Sequence, residues 1–259
     1  LPSNLRSATA EQLIDFQLAT LAENKDLHDK IEFDVALTCI DFSIEERLNQ
    51  INRSGLSKKD TQNFKMKLHQ VTVDAINTGR EGLSAIRKRA DVFLTEQLWN
   101  HRKEQPLEAW RRLLNNIRLH GTLPFSILAR HAFIAVTLLR SAVQTGIIDY
   151  RDFELFLLSI KTIAKDLVRD MECVATGILN PDEFMVVYGH LRPGTYDILS
   201  WRYDEKPHLY LGGGARDMRD NDHDNQAFAL QSSKRSALES NLILHQLADD
   251  VDDFLTYAK

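Results

Sequence analysis

The chain has 259 residues, of which 43% are apolar, and a formal net charge of -5 at pH 7. This composition predicts a soluble globular protein with a substantial core, and it gives no overall basic field that would favour nucleic acid or anionic membranes as partners. Cys39 and Cys173 lack metal-ligand spacing, and the richest apolar run, residues 133–139, is too short to span a bilayer. We therefore expect a cytoplasmic protein without a membrane segment.

The N-terminal part predicts two helices. Ser7 or Thr9 can cap the first, which should end near Asn24. The second is predicted to begin close to Asp29 and to carry a polar stripe that is most often a solvated face, made of Asp34, Thr38, Asp41 and Glu45. Glu32 lies outside that stripe and is a candidate for an inward polar role.

The middle of the chain predicts longer helices. Gly55 breaks the pattern before a long helix that begins near Ser57 and has a possible interruption at residues 78–82. Pro106 suits the first turn of the next helix, which we expect to end at Gly121.

Residues 124–144 predict a helix of a different kind, with Gly146 as its stop. Apolar residues cover most of its circumference, which indicates a position inside the bundle. Arg130, Thr137 and Ser141 nevertheless fall within about 40° of one another on the helical wheel.

A buried Arg130 would need partners, since an uncompensated interior charge costs on the order of several kcal/mol. Two arrangements satisfy this need: a structural pair with an acid such as Glu32, or an anion pocket between helices with His131 beside it. A hydrogen-bonded core histidine without a ligand is the alternative for His131.

The remaining segments complete an all-α prediction. A helix is expected over residues 149–177, a short one opens at Asn180-Pro181, and the pattern is lost over residues 206–231 before a last helix at 233–257. We predict an irregular multi-helix bundle that forms a single domain over residues 1–259, with one long polar loop region at about 188–232.

Residues 188–205, YGHLRPGTYDILSWRYDE, are the segment that folding alone explains least. Pro193-Gly194 suits the centre of a type II turn, which fixes the direction of the flanking side chains. Arg192 and Arg202 offer planar forks for carboxylate or phosphate, and His190 can exchange a proton near neutral pH. The segment suits an anionic or polar ligand. The alternative is a structural network, in which the arginines pair with the nearby carboxylates Asp197, Asp204 and Glu205.

No metal site is predicted. Asp220, Asp222 and Asp224 alternate as in a calcium-binding loop, but Asn225 and Gln231 stand where that loop needs glycine and glutamate.

The stretch GHLRPGTYDILSWRYDE resembles a signature of phosphoenolpyruvate synthase-like phosphotransferases, the group that includes phosphoenolpyruvate synthase, rifampicin phosphotransferase and L-glutamine kinase. Residues 28–42 and 128–143 agree with the same family. The resemblance implies a helical acceptor-binding domain excised from a multidomain parent, whose ATP-binding and phosphohistidine domains are its partners. ATP and magnesium would be cofactors of that parent, and this chain would itself hold no cofactor.

The resemblance also implies site residues. Arg192 and Arg202 would bind anionic groups, Gly194 would let the backbone approach the ligand, and Tyr196 would line the pocket. Asp197 or His190 would orient or deprotonate the attacking atom. Differences from the rifampicin phosphotransferase form at residues 191–192 and 195–196 favour a small polar acceptor such as L-glutamine. The competing prediction is a non-catalytic helical interaction module.

Overall fold

The computed structural model describes residues 1–2, 4–95, 106–193, 197, 199–211 and 228–259. The α-helices in these ranges are α1 (Ser7–Glu23), α2 (Ile44–Arg53), α3 (Lys58–Thr95), α4 (Pro106–Asn116), α5 (Leu123–Gln144), α6 (Tyr150–Ser159), α7 (Ile163–Ala175), α8 (Pro181–Tyr188), α9 (Pro207–Leu211), α10 (Ser232–Leu244) and α11 (Val251–Ala258). No strand is found in the described ranges, and the predicted all-α class is confirmed.

The chain divides into two compact units, whereas the sequence was interpreted as one domain. Unit 1 comprises Leu1–Phe153 and Leu230–Lys259, and unit 2 comprises Glu154–Ala229. The boundary falls within α6.

The core of unit 1 is built on α5, which packs against α3 and α11. Helix α3 contributes Phe64, Leu68 and Ile76, whose spacing of four or eight residues places them on one helical face. Leu138 of α5 and Phe254 of α11 are fully buried in the same unit. Burying each of these side chains stabilises the fold by roughly 1.5–3 kcal/mol.

The predicted second helix from Asp29 is wrong. Ile31–Val35 forms only a π-helical turn, and residues 36–43 are irregular before α2 begins. Side chains of distant helices satisfy this backbone: the Ile40 N–H donates to Thr72 Oγ1 at 2.9 Å, and the Phe42 N–H donates to Ser141 Oγ at 3.1 Å. Asp41, which was expected on a solvated face, is consequently buried at 3% exposure.

The predicted helix end at Gly121 is also wrong. A π-helical turn, Ile117–Thr122, joins α4 to α5, whereas α5 does end before Gly146, where φ is +74°. By length and composition the continuous helix Leu107–Gln144 could cross a membrane, a property that core helices of soluble proteins share, and 33% of its most apolar window is buried inside the protein.

Two other predicted helices are each divided. Residues 149–177 form α6 and α7, and the Thr162 hydroxyl begins α7 by accepting the Lys165 N–H at 3.3 Å. Residues 233–257 form α10 and α11, separated by a turn in which Gln246 has a φ of 53°. The predicted cap of α8 is confirmed, because the Asn180 side chain accepts the Asp182 N–H at 2.9 Å.

Candidate functional site

The loop formed by residues 192–202 begins and ends at one place in unit 2. Two backbone hydrogen bonds of 3.0 Å close it, from the Tyr203 N–H to the Leu191 carbonyl and from the Asp204 N–H to the Gly189 carbonyl. A Cβ on Gly189 would lie 2.4 Å from the Met185 carbonyl oxygen and 3.0 Å from Asp204 Cβ. Glycine is therefore required for this close approach.

An aromatic cluster supports the closed end of the loop. Phe184 and Tyr203 are buried, and their ring centroids lie 6.0 Å apart in an edge-to-face arrangement. Tyr188 lies 4.9 Å from Phe184, and its hydroxyl donates to Asp170 Oδ2 at 2.8 Å. Helices α7 and α8 thus hold the ends of the loop in place.

Arg192 is oriented by the loop but is not neutralised. Its Nε donates to the Ser200 carbonyl at 2.7 Å, across the width of the loop. The side chain is exposed, and in the described part of the chain no carboxylate lies within 4.0 Å of it. The two terminal nitrogens of Arg192 can therefore bind an anionic group in the bidentate manner.

Arg202 has a different environment. Its Nε donates to Asp204 Oδ1 at 2.9 Å and its Nη2 to Asp204 Oδ2 at 2.8 Å. The Arg202 N–H also donates to Glu205 Oε2 at 2.8 Å. This arrangement matches the structural alternative for Arg202, in which the arginine ties the loop to its own base.

The other predicted residues of the loop have separate roles. Asp197 Oδ1 accepts the Leu199 N–H at 2.9 Å, which forms an Asx-type turn inside the loop. His190 is exposed and makes no hydrogen bond within the described ranges. Gly194 and Tyr196 lie outside the described residues.

In unit 1, Glu32 and Arg130 line the same cavity of about 300 Å³. The expectation that Arg130 is buried is wrong, since its side chain is exposed and the buried residues of α5, apart from Pro124, lie between Ile134 and Ala142. No ion pair joins Arg130 to Glu32 within the residues described. The structure therefore brings these two residues to one cavity and does not form the structural pair, which was one of the two alternatives.

His131 does not line that cavity. Its Nδ1 and the Tyr257 hydroxyl share a hydrogen bond of 3.0 Å, and their ring centroids are 5.7 Å apart. Burial, followed by the nearby Arg130 charge, lowers the pKa of His131 below its ordinary value. His131 matches the alternative of a hydrogen-bonded core histidine.

Sequence reasoning missed a second cavity of unit 1, about 190 Å³ in volume, between residues 33–43, α2 and α5. Its lining residues are Phe33, Asp34, Asp41, Ser43, Arg47, Thr137, Arg140, Ser141 and Gln144. Thr137 and Ser141 had been recognised as polar positions on an apolar helix. Asp41, Arg47 and Arg140 gave no comparable local signal.

Within the described ranges, no group of three or more His, Cys, Asp or Glu side chains is arranged to hold a metal ion. No family model, curated protein or solved structure matches the chain. The candidate sites are consequently assessed from their own geometry and from the motifs of the sequence.

Proposed function

We propose that this chain is the acceptor-binding part of a phosphoenolpyruvate synthase-like phosphotransferase. In such an enzyme, a phosphoryl group from ATP passes through a phosphohistidine on another domain to a small polar acceptor such as L-glutamine. ATP and magnesium belong to the ATP-binding domain of the parent, so no residue of this chain is assigned to them.

The state of Arg192 is the observation that supports this proposal best. Its Nε is anchored on Ser200 at 2.7 Å, while its terminal nitrogens have no carboxylate partner among the described residues. An oriented guanidinium that remains uncompensated suits a phosphoryl group or an acceptor carboxylate. Phosphoryl transfer depends mainly on positioning and on stabilisation of charge, which one fixed arginine supplies.

In the proposed reaction, the acceptor nitrogen or oxygen attacks phosphorus, and the bond between phosphorus and the histidine nitrogen breaks. His190, which is exposed two residues before Arg192, takes the proton of the attacking atom. Arg202 remains paired with Asp204 and holds the base of the loop. Asp197 fixes the turn that carries the Ser200 carbonyl, since its own carbonyl accepts the Ser200 N–H at 3.1 Å.

The alternative is a helical interaction module without a ligand, and the Arg202–Asp204 pair favours it. Calorimetric titration of the chain with L-glutamine, other L-amino acids, pyruvate and inorganic phosphate separates the two functions. The proposal expects binding of an acceptor or of phosphate that Arg192→Ala weakens at least tenfold. A matched control is Arg169→Ala, an exposed arginine of the same unit that pairs with Asp166 and Asp170. Absence of any binding, or equal binding by the Arg192→Ala variant, would support the interaction module.

A further inference from the structure

The cavity of about 190 Å³ in unit 1 is a separate feature from the Arg192 loop. The π-helical turn Ile31–Val35, the irregular residues 36–43, α2 and α5 all contribute to its lining. About six water molecules occupy the same volume in the liquid. Pockets for drug-sized ligands are larger and begin at roughly 300 Å³. The cavity therefore fits a small metabolite.

Two arginines line this cavity without a carboxylate partner. Arg47 is half-buried, and its Nη2 makes one long hydrogen bond of 3.4 Å to the Ala36 carbonyl. The guanidinium carbon of Arg140 lies 4.6 Å from the ring centroid of Phe33. Within the described residues neither guanidinium has a carboxylate oxygen within 4.0 Å. Burial lowers the pKa of Arg47, against the opposing effects of the Asp41, Cys39 and Asp34 side chains.

Asp41 supplies the opposite charge. Its side chain is buried, and the hydrogen bonds that it accepts, from the Ser43 N–H at 2.9 Å and the Ser43 hydroxyl at 3.2 Å, both end on Oδ1. Oδ2 has no hydrogen-bond donor among the described residues. Burial raises the pKa of Asp41, against the opposing effects of Ser43, Arg47 and His245. A cationic hydrogen-bond donor at Oδ2 would offset this cost of burial.

Thr137 adds a buried hydroxyl that lacks a partner. The residue is 8% exposed, and its Oγ1 has no hydrogen-bond partner in the described structure. The nearby Cys39 thiol has its pKa raised to about 11 by burial, against opposing effects that include the Thr137 hydroxyl. Ser141, one turn further along α5, is satisfied, because its hydroxyl donates to the Leu138 carbonyl at 2.9 Å. An unmade hydrogen bond of this kind costs about 1–3 kcal/mol, a cost that a polar ligand atom beside Thr137 would remove.

The balance of charges selects the kind of ligand. A simple anion would lie beside Asp34 and Asp41, and a simple cation would lie beside Arg47 and Arg140. A molecule that carries both charges meets a partner for each of them. We propose that this cavity binds a free α-amino acid, with its carboxylate on Arg47 and Arg140 and its ammonium group on Asp41 and the Thr137 hydroxyl.

This inference does not rest on the proposed function, since the cavity lies within unit 1 and the Arg192 loop lies within unit 2. Calorimetric titration with L-alanine and L-glutamine tests it directly. N-acetyl-L-glutamine lacks the ammonium group and L-glutaminamide lacks the carboxylate, so each should bind at least tenfold more weakly than L-glutamine.

Variants then assign the binding to the cavity. Arg140→Gln changes an exposed side chain, so it should fold normally and weaken binding at least tenfold. Thr137→Val should weaken binding several-fold and raise the melting temperature of the free protein, because it removes an unpaired buried hydroxyl. Arg53→Gln, at an exposed position of α2 outside the cavity, should leave the binding of L-alanine unchanged.

Two results would overturn the inference. One is the absence of heat and of chemical-shift change when either amino acid is added up to about 10 millimolar, a concentration above the dissociation constants of weak specific sites. The other is binding that survives Arg140→Gln but is lost in Arg192→Ala, which would place the amino acid at the loop and support the proposed function alone.

Discussion

Arg202 and Asp204, two residues apart, form a bidentate ion pair with hydrogen bonds of 2.9 and 2.8 Å. Arg192, at the other end of the same loop, has its Nε anchored on a backbone carbonyl and has no carboxylate partner within the described ranges. The two side chains are chemically identical, but only Arg202 is already occupied by a carboxylate. A ligand would bind Arg192 without breaking an existing ion pair, whereas Arg202 would first have to release Asp204.

The proposed function predicts that Arg192→Ala, in the phosphotransferase of which this chain would be the acceptor-binding part, abolishes phosphorylation of the acceptor and leaves ATP-dependent phosphorylation of the histidine intact. The reason is that Arg192 would bind the acceptor or the phosphoryl group only during transfer to the acceptor. Radiolabelled ATP, with separate detection of the phosphoenzyme and the product, measures both half-reactions. Arg202→Ala should reduce acceptor phosphorylation less, through disorder of the loop base. Loss of both half-reactions together in Arg192→Ala would contradict the assignment.

A second prediction concerns the core that supports the loop. Phe184 is fully buried, and its ring lies 4.9 Å from Tyr188 and 6.0 Å from Tyr203. Phe184→Ala should lower the free energy of unfolding of unit 2 by about 3–5 kcal/mol, the usual cost of such a cavity. Urea unfolding followed by tyrosine fluorescence measures this loss. Val186→Ala on the same helix is the control, because Val186 is 84% exposed and its truncation should change stability by less than about 0.5 kcal/mol.

The parts of the fold that depend on local causes could be predicted from the sequence. The Asn180 side chain caps α8 through a residue two positions later, and Gly146 terminates α5 by adopting a positive φ. Each effect operates within a single helical turn. A spacing of apolar residues by three or four likewise predicted α3 and α5, although it merged α10 and α11 into one helix.

Residues 36–43 could not be predicted, because the partners of their backbone are distant. Thr72 lies 32 positions after Ile40, and Ser141 lies 99 positions after Phe42. Periodicity alone continued a helix through this segment and placed Asp41 on a solvated face. The burial of Asp41, and with it the polar cavity, follows from contacts that no local pattern contains.

The difference between Arg192 and Arg202 could not be predicted for a related reason. Both arginines stand among carboxylates in the sequence, so either could have formed the structural pair. The closure of the loop by Gly189 and Leu191 decides the outcome, because it brings the Ser200 carbonyl to Arg192 and leaves Asp204 to Arg202.

The His131–Tyr257 contact predicts a pH dependence of unit 1. Burial lowers the pKa of His131 in the folded state, so the unfolded chain binds its proton first as the pH falls. The contribution of neutral His131 to the free energy of unfolding is fully present above pH 6.5, the ordinary pKa of histidine. It is lost as the pH falls from 6.5 through the lower pKa of the folded state. Urea unfolding between pH 8 and pH 5 should show this loss, and His131→Gln should make it smaller.

The pH dependence of stability that remains in His131→Gln has an identified source. Burial also lowers the pKa of His245, which contributes with the same sign in the same range of pH. A titration of the His131 ring followed by NMR isolates its own contribution. A midpoint at or above 6.5 for His131 would show that burial does not control this group.

Asp41→Asn provides a test in which stability and binding change in opposite directions. Burial is the largest effect on Asp41 and raises its pKa above the ordinary 3.8, so the ionised carboxylate destabilises the folded state at pH 7. The neutral amide removes this cost, and its oxygen can still accept the two hydrogen bonds from Ser43. We therefore expect the variant to be more stable than the wild type at pH 7.

The gain from Asp41→Asn should shrink as the pH falls through the folded pKa of Asp41 towards 3.8, because the wild-type carboxyl then becomes neutral as well. The same variant should lose the binding of L-alanine, since the ammonium group no longer meets a carboxylate. Urea unfolding at pH 7 and pH 4, together with calorimetric titration, measures both effects. Asp15→Asn, at an exposed position of α1, should change neither quantity. A variant that is less stable at pH 7, or that binds L-alanine as tightly as the wild type, would show that Asp41 serves the fold and not a ligand.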